Sequence, residues 1–235
     1  MVEKISYLME HFSKIKPGEI VLIEYTPDSF YPIAFYVLAT YSLKLGLPLL
    51  IDDVLDTLHL YKTYLDFAGL DTNFLYSKDV FVLKIGGHKE VGNVVSEIRL
   101  TGEFYIQYEN YKAAFDSILS QRDFFINIVL GFDRLTELYP SYQRYLFLLT
   151  RTHYLGNKRR TAFYFVNREL LKKTPLVLPI FEEISTSVVR LEKENNTTLV
   201  TFLKSPYPSL IGSQFEFSTE EMLNYLKEGL QDGSF

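Results

Sequence analysis

The sequence of 235 residues contains no cysteine and no tryptophan. The absence of cysteine excludes thiol catalysis, cysteine-ligated zinc, iron–sulfur clusters and disulfides. No apolar run reaches the roughly 18 residues that a membrane-spanning helix needs, so we expect no contact with a membrane. The N-terminal stretch lacks the apolar block of a signal peptide, and a cytoplasmic location is therefore expected.

Positive charge is slightly scarce, because 24 Lys and Arg residues face 29 Asp and Glu residues, for a net charge of −5. This balance argues against a protein whose whole surface holds nucleic acid, although a local basic patch remains compatible with it. The four histidines do not have the spacing of metal ligands, so we expect no metal site. The sequence also contains no recognisable nucleophile motif. The histidines are His11, His59, His88 and His153.

The sequence does contain short apolar segments that alternate with segments of helical periodicity. This alternation predicts an α/β fold, with a mostly parallel sheet flanked by helices on both faces. The predicted strands of this part are residues 19–25, 48–51, 80–85, 124–130 and 162–166. The predicted helices are residues 33–44, 54–67, 111–120, 142–154 and 169–173.

The two ends of the sequence are predicted to be helical, at residues 1–16 and 219–230. Before the second of these helices, three apolar segments are separated only by short turns, which predicts antiparallel strands at the sheet edge. These segments are residues 187–192, 199–204 and 214–217. No composition break indicates a linker, so we expect a single domain over residues 1–235.

Residues 91–100 and 104–108 have the alternation of β-strands, and the Thr101-Gly102 pair between them predicts a hairpin. Its second strand has apolar side chains on both faces: Phe104, Ile106 and Tyr108 on one, Tyr105 on the other. Such a strand suits a buried interface or an edge that accepts another strand. The alternative is a hairpin that its own domain covers.

The only dense basic run is Lys158-Arg159-Arg160, which follows Gly156-Asn157. A solvated loop is the favoured interpretation of this run. The alternatives are a contact with phosphate or nucleic acid, and an assembly contact with the acidic edge of a neighbouring subunit.

The first strand-to-helix turn matters most, since ligands of open α/β sheets bind outside the carboxyl ends of the strands. Residues 16–24 (KPGEIVLIE), this turn and the following helix resemble the opening of the RecA/KaiC-like ATPases. The resemblance implies a RecA-like P-loop fold whose turn is the phosphate loop G-x-x-x-x-G-K-[ST]. On that spacing the four defining positions are occupied by Tyr25, Phe30, Tyr31 and Pro32. An ordinary turn of an unrelated sheet protein is the alternative.

Each replacement removes part of a phosphate site. Tyr25 and Phe30 put side chains where glycine allows the backbone to approach phosphate. Tyr31 has no positive charge, and Pro32 lacks both the hydroxyl that holds magnesium and a backbone N–H. Asp28 adds a negative charge, which repels a second one about 4 Å away by roughly 4 kcal/mol at an effective dielectric of 20. We therefore expect no nucleotide and no cofactor.

Further segments carry the resemblance, among them the C-terminal residues 188–192 and 202–208, which resemble the terminal strands of the KaiC-like proteins. Residues 49–53 (LLIDD) look like the family's second strand, whose end holds a catalytic carboxylate, here Asp52 or Asp53. Residues 126–135 (INIVLGFDRL) resemble the Walker B strand, with Asp133 at the place of the magnesium-associated aspartate. Together with Asp28, these carboxylates are expected to line an acidic crevice for a cation such as a Lys- or Arg-bearing peptide. The alternative is that they are helix caps and solvated strand ends.

The resemblance as a whole is to an archaeal family of unknown function within the RecA-like group, which offers no activity to inherit. The leading hypothesis is a non-catalytic protein that binds protein or peptide segments as a self-associating scaffold or regulator, and so forms homo-oligomers. One alternative is an atypical nucleotide hydrolase, or another enzyme, that uses the acidic crevice. Another is nucleic-acid binding through Lys158–Arg160.

Overall fold

The structure, a computed structural model, describes residues 2–139 and 152–231, and nine strands of these residues form one sheet. The strands are β1 (Ile20–Tyr25), β2 (Leu49–Val54), β3 (Val80–Ile85), β4 (Val94–Ile98), β5 (Phe125–Leu130), β6 (Arg160–Asn167), β7 (Ser187–Glu194), β8 (Thr197–Lys204) and β9 (Gln214–Ser218). Their order is β4-β3-β2-β5-β6-β1-β7-β8-β9. Neighbours from β4 to β7 are parallel, whereas β8 and β9 are added antiparallel. The predicted parallel sheet with antiparallel C-terminal strands is confirmed.

Helices cover both faces of this sheet. They are α1 (Val2–Ser13), α2 (Tyr31–Lys44), α3 (Thr57–Phe67), α4 (Phe104–Leu119), α5 (Phe132–Glu137), α6 (Arg168–Leu171), α7 (Val177–Ile184) and α8 (Thr219–Gln231), with 3-10 turns at Asn73–Tyr76 and Thr152–Tyr154. Apolar side chains of α1, α2, α3 and α8 form one core layer, on what we name the first face. Those of α4, α5, α6 and α7 form the other, on the second face.

The sequence patterns explain this burial. Every residue of β1, β2, β3 and β5 is buried, as expected for parallel strands that helices cover on both faces. In β8 burial alternates, so that Val200 and Phe202 are buried against the first face. An alternating strand of this kind is typical of an antiparallel edge with one covered face.

The predicted hairpin is wrong, because residues 104–108 form the first turn of α4 and β4 pairs parallel to β3. Five residues of alternation are too short a signal. Over 16 residues the buried positions of α4 recur with helical spacing, and its N-terminus is stabilised by Gln107 Oε1, which accepts from Thr101 N at 3.0 Å. Phe104 is buried in the second-face core, whereas Tyr105 and Ile106 are exposed. The hydroxyl of Tyr108 lies 3.0 Å from His153 Nδ1.

The predicted helix at 142–154 falls mostly on residues 140–151, which lie outside the described residues; residues 152–154 form a 3-10 turn. Two short helices, α5 and α7, were not predicted from the sequence. None of the helices described in residues 2–139 and 152–231 has both the length and the apolar character that a membrane span requires.

Candidate functional site

The turn between β1 and α2 is tight and is closed on itself. Ser29 donates twice to the carbonyl of Thr26, from its N–H at 2.9 Å and from its hydroxyl at 2.7 Å. At the start of α2, Pro32 has no N–H, and the N–H groups of Ile33 and Ala34 both donate to Phe30 O at 3.1 Å. These donors therefore point into the helix and its first turn rather than towards an anion.

Aromatic rings fill the space beside this turn. The ring of Tyr25 stacks on that of Tyr31 with centroids 4.1 Å apart and planes 17° apart. The ring of Tyr31 also contacts that of Tyr61 of α3 edge to face, with centroids 5.1 Å apart. We name Tyr25, Tyr31 and Tyr61 the tyrosine cluster. It occupies the carboxyl end of β1, where the family resemblance expects a phosphate loop.

Asp133 lies beside the tyrosine cluster, at the start of α5 and directly after β5. Its Oδ2 accepts from Asn167 N at 2.9 Å, but its Oδ1 is buried without a hydrogen-bond partner among the described residues. Burial raises the pKa of Asp133, and Arg134 only partly offsets this effect. Burial, followed by the nearby charge of Asp133, raises the pKa of Tyr25. The surroundings therefore favour the neutral forms of both side chains.

Asp52 and Asp53 project to opposite faces of β2 and enter separate networks. Asp52 accepts from the Tyr111 hydroxyl at 2.7 Å and from Asn127 Nδ2 at 3.3 Å on the second face. Asp53 accepts from Lys84 Nζ at 3.2 Å and from the Leu58 N–H of α3 at 2.8 Å. Both carboxylates are buried and engaged in structural contacts.

Lys84 is a buried cation that the sequence reasoning missed, with a side chain only 2% exposed. Besides Asp53 it contacts Asp56, whose Oδ1 lies 2.6 Å from Nζ. Asp56 also accepts from the backbone N–H groups of His88 and Lys89 at 2.8 to 3.0 Å. The available signal was a single lysine in the otherwise apolar strand VFVLKI, since a buried charge must be paired.

Glu24 was missed for the same reason, although it is the only charged residue of β1 and is fully buried. Its Oε2 accepts from Arg190 Nε at 2.9 Å and lies 3.6 Å from Arg168 Nε. Burial and the nearby Glu182 raise the pKa of Glu24 to about 7, against the opposing effect of Arg190. This cluster ties β1, β7 and α6 together beneath the turn.

The remaining predicted acid, Asp28, is exposed on the turn, and a hydrogen bond from Thr26 lowers its pKa. The four aspartates are thus divided among an exposed turn, the tyrosine cluster and two buried networks. Among the described residues, no group of three or more His, Cys, Asp or Glu side chains is arranged to hold a metal ion.

Lys158 and Arg159 are exposed in the turn before β6, as expected for a solvated loop, whereas the expectation is corrected for Arg160. Arg160 begins β6 and is 1% exposed; its Nη1 donates to Asn127 Oδ1 at 2.6 Å, and its guanidinium lies over the ring of Tyr154 at 4.8 Å. The guanidinium of Arg159 donates to the carbonyls of Leu119 and Arg122. Lys158 is also exposed, and no comparable contact of its side chain is described.

Sequence comparison now identifies the family. The model of the family DUF257, described as a Pyrococcus protein of unknown function, matches residues 10–216. The chain belongs to DUF257. The sequence-based expectation of an archaeal family without an assigned activity is confirmed by this match.

A solved structure supports this assignment. The project target PH0250 from Pyrococcus horikoshii OT3 is similar to this DUF257 chain at 29% identity, with a TM-score of 0.76. The similarity covers 87% of this chain and 95% of that one, so it extends over nearly the whole fold. No curated protein matches the chain.

Proposed function

We propose that this DUF257 protein is a RecA/KaiC-like pseudo-ATPase, which binds protein segments and has no catalytic activity of its own. The topology supports the ancestry, because the turn after β1 and the acid after β5 meet at one edge of a mostly parallel sheet. In such sheets this edge is where ligands bind. The positions that the resemblance assigns to the phosphate loop and to the Walker B aspartate are thus neighbours in space.

The stack of Tyr25 on Tyr31 carries the proposal that nucleotide binding has been lost. Phosphate loops work because a row of free N–H groups and a lysine surround the phosphate oxygens. Here a stacked pair of rings takes that volume, and the turn bonds to its own carbonyl groups. Arg134 contributes positive charge nearby, but its effect falls on Asp133 and the tyrosines that it neighbours.

The solvent face of α3 supplies a surface for protein binding. Leu60, Tyr64 and Phe67 follow one another at helical spacing, opposite the buried Leu58 and Leu65. Phe67 is 89% exposed. A row of three large apolar side chains on one exposed helix face is typical of a surface that another protein covers. We name these three residues the α3 stripe.

We propose a second copy of this chain as the occupant of the α3 stripe. The three residues of the stripe are uncharged, and the ion pair between Lys62 and Asp66, at 2.7 Å, lies on another side of the helix, so the stripe does not repel its own copy. In a two-fold dimer the same surface of both copies meets, which an uncharged apolar row allows. The same surface is thus complementary to itself.

Calorimetric titration of the full chain with Mg·ATP tests the loss of nucleotide binding. We expect no heat of binding at concentrations up to the millimolar range. A micromolar dissociation constant would show that the ring stack opens for phosphate, and the pseudo-ATPase proposal would then be wrong.

Sedimentation velocity tests the self-association separately. The wild-type chain is expected to form dimers at micromolar concentration, and Phe67→Ser is expected to weaken dimerisation at least tenfold. Tyr76→Ser removes another exposed aromatic ring, 56% exposed but outside the stripe, and should leave the dimer intact. A wild-type chain that remains monomeric would overturn the dimer without affecting the conclusion on nucleotides.

A further inference from the structure

A cavity lies on the first face, between the sheet and the helices α1, α2 and α8. The enclosed part of this cavity has a volume of about 70 Å³, and the cavity opens to solvent at a mouth. Its walls come from the core side of β1, β7 and β8, and from Phe30 at the end of the turn. A single water needs roughly 10–15 Å³ of such space, so the cavity has room for several non-hydrogen atoms of an organic molecule, whose remainder extends through the open mouth.

The walls of this cavity are almost entirely hydrocarbon and aromatic. Typical members are Leu8 of α1, Val37 of α2, Val200 of β8 and Met222 of α8. The lining contains no charged side chain among the described residues. Cavities with such walls stay free of ordered water and take up apolar molecules instead.

One polar group breaks this pattern. Thr198 lines the cavity and is 7% exposed, and its hydroxyl oxygen is buried without a hydrogen-bond partner among the described residues. Alternation along β8 puts it on the same side as Val200 and Phe202, in the apolar layer. A buried hydroxyl without a partner costs about 1–3 kcal/mol, so it creates a demand for a ligand that supplies the missing bond.

The rim limits the charge of that ligand. Ser218 and Thr219 line the mouth at the start of α8, where backbone N–H groups would favour an anion. Glu220 and Glu221 occupy that same first turn, and Glu221 N already donates to Ser218 Oγ at 3.4 Å. Neither carboxylate lines the cavity, but their negative charge in this turn disfavours a carboxylate or phosphate head group beside Ser218 and Thr219.

We propose that this cavity binds a neutral, mainly hydrocarbon small molecule with a single hydrogen-bonding group, which pairs with the Thr198 hydroxyl. The proposal concerns a separate site from the α3 stripe and does not depend on it. Transfer of the hydrocarbon part from water into the cavity contributes the affinity. The Thr198 hydroxyl selects ligands whose polar atom lies within hydrogen-bond distance of it.

The matched probes p-cresol and p-xylene test this proposal, because they differ only by a hydroxyl in place of a methyl group. Both are titrated as competitors of 1-aminoanthracene, whose fluorescence rises in apolar surroundings. We expect both to bind the wild-type chain. Thr198→Val should lower the affinity ratio of p-cresol to p-xylene about five- to tenfold, since one neutral hydrogen bond is lost. Thr201→Val, on the other side of the same strand, should leave the ratio unchanged.

A filled cavity gives the second readout. Ala34→Phe adds a ring to the cavity wall and should abolish binding of both probes, whereas Ala113→Phe, exposed on α4 over the other face, should not. Circular dichroism checks that each variant is folded, and the Thr198→Val ratio remains decisive if Ala34→Phe is not. Three results would each overturn the proposal. They are a wild-type chain that binds neither probe, equal binding by the two folded phenylalanine variants, and an unchanged affinity ratio in Thr198→Val.

Discussion

At the scale of single residues, the buried charges of the parallel sheet are bound to specific partners. Lys84 holds Asp53 and Asp56, and Arg160 is held between Asn127 and the ring of Tyr154. Burying a charge is costly unless a partner and hydrogen bonds compensate for it. Lys84, Asp53 and Asp56 therefore fix the loop after β2 at the carboxyl edge, whereas Arg160, at the start of β6, lies at the opposite edge of the sheet.

Lys84→Met tests the role of the buried ion pair. The substitution leaves the buried Asp53 without its cation, and we expect the free energy of unfolding to fall by about 3–5 kcal/mol. Lys62→Met breaks the more exposed pair with Asp66 on α3 and should cost less than about 1 kcal/mol. Chemical denaturation measures both, and equal losses would contradict the burial of Lys84.

Asp56 should make the stability dependent on pH in acid. Burial alone would raise its pKa, but hydrogen bonds from Lys84, His88 N and Lys89 N lower it to about 2. The unfolded chain, with an aspartate pKa of about 3.9, therefore takes up protons before the folded chain does. The stability that Asp56 contributes is complete above pH 4 and is lost as the pH falls to about 2.

The measurement is the free energy of unfolding from pH 5 to pH 2, for the wild type and for Asp56→Asn. The variant should be less stable at pH 5 and should lose less stability on acidification. Asp123→Asn, on an exposed residue, serves as the control and should follow the wild-type curve. A variant curve parallel to that of the wild type would show that Asp56 keeps its ordinary affinity for protons.

At the scale of elements, the join between β5 and α5 fixes where Asp133 lies. Gly131 has a φ of +80°, and a Cβ there would lie 2.6 Å from Val54 O and 2.2 Å from Thr57 Oγ1. Only glycine combines that backbone conformation with so close an approach. The end of β5 is therefore pressed against the start of α3, and α5 can begin with Asp133 beside the tyrosine cluster.

Gly131→Ala and Gly46→Ala separate the cost of a positive φ from the cost of a close contact at the added Cβ. Gly46 also has a positive φ, of +73°, but no atom lies within 4 Å of its added Cβ. Gly46→Ala should cost about 1–2 kcal/mol for backbone strain alone. Gly131→Ala adds a clash with backbone and should cost at least about 2 kcal/mol more, as measured by denaturant unfolding. A similar cost for both would mean that the loop after β2 moves freely away from Gly131.

At the scale of the whole molecule, the sheet has a protected centre and two open edges. The centre consists of β5, β6 and β1, and the edges are β4 and β9. Amide hydrogen exchange measured by mass spectrometry should be slowest in the three central strands and fastest in β4 and β9. Equal protection of an edge strand would indicate that another chain pairs with it in solution, which would replace the α3 stripe as the contact between copies.

Most of the elements could be predicted from the sequence, because continuous apolar runs mark parallel strands and short turns mark the antiparallel edge. The segment 104–108 was the exception, since its five alternating residues fit a strand, while the packing of the whole of α4 against the second face decided for a helix. The candidate site was predicted in part. Tyr25, Tyr31 and Asp133 do meet, but nothing in the spacing of Asp52 and Asp53 showed that they enter separate buried networks.

The sequence by itself determined the α/β alternation and the aromatic residues and proline around the turn after β1, because these depend only on residue type and order. Tertiary structure decided which groups became partners: Lys84 with Asp53 and Asp56, Glu24 with Arg190, and Thr198 with none among the described residues. The physical reason is that burial and pairing depend on which strands become neighbours. In this sheet β1 lies between β6 and β7, two strands that are far from it in the sequence.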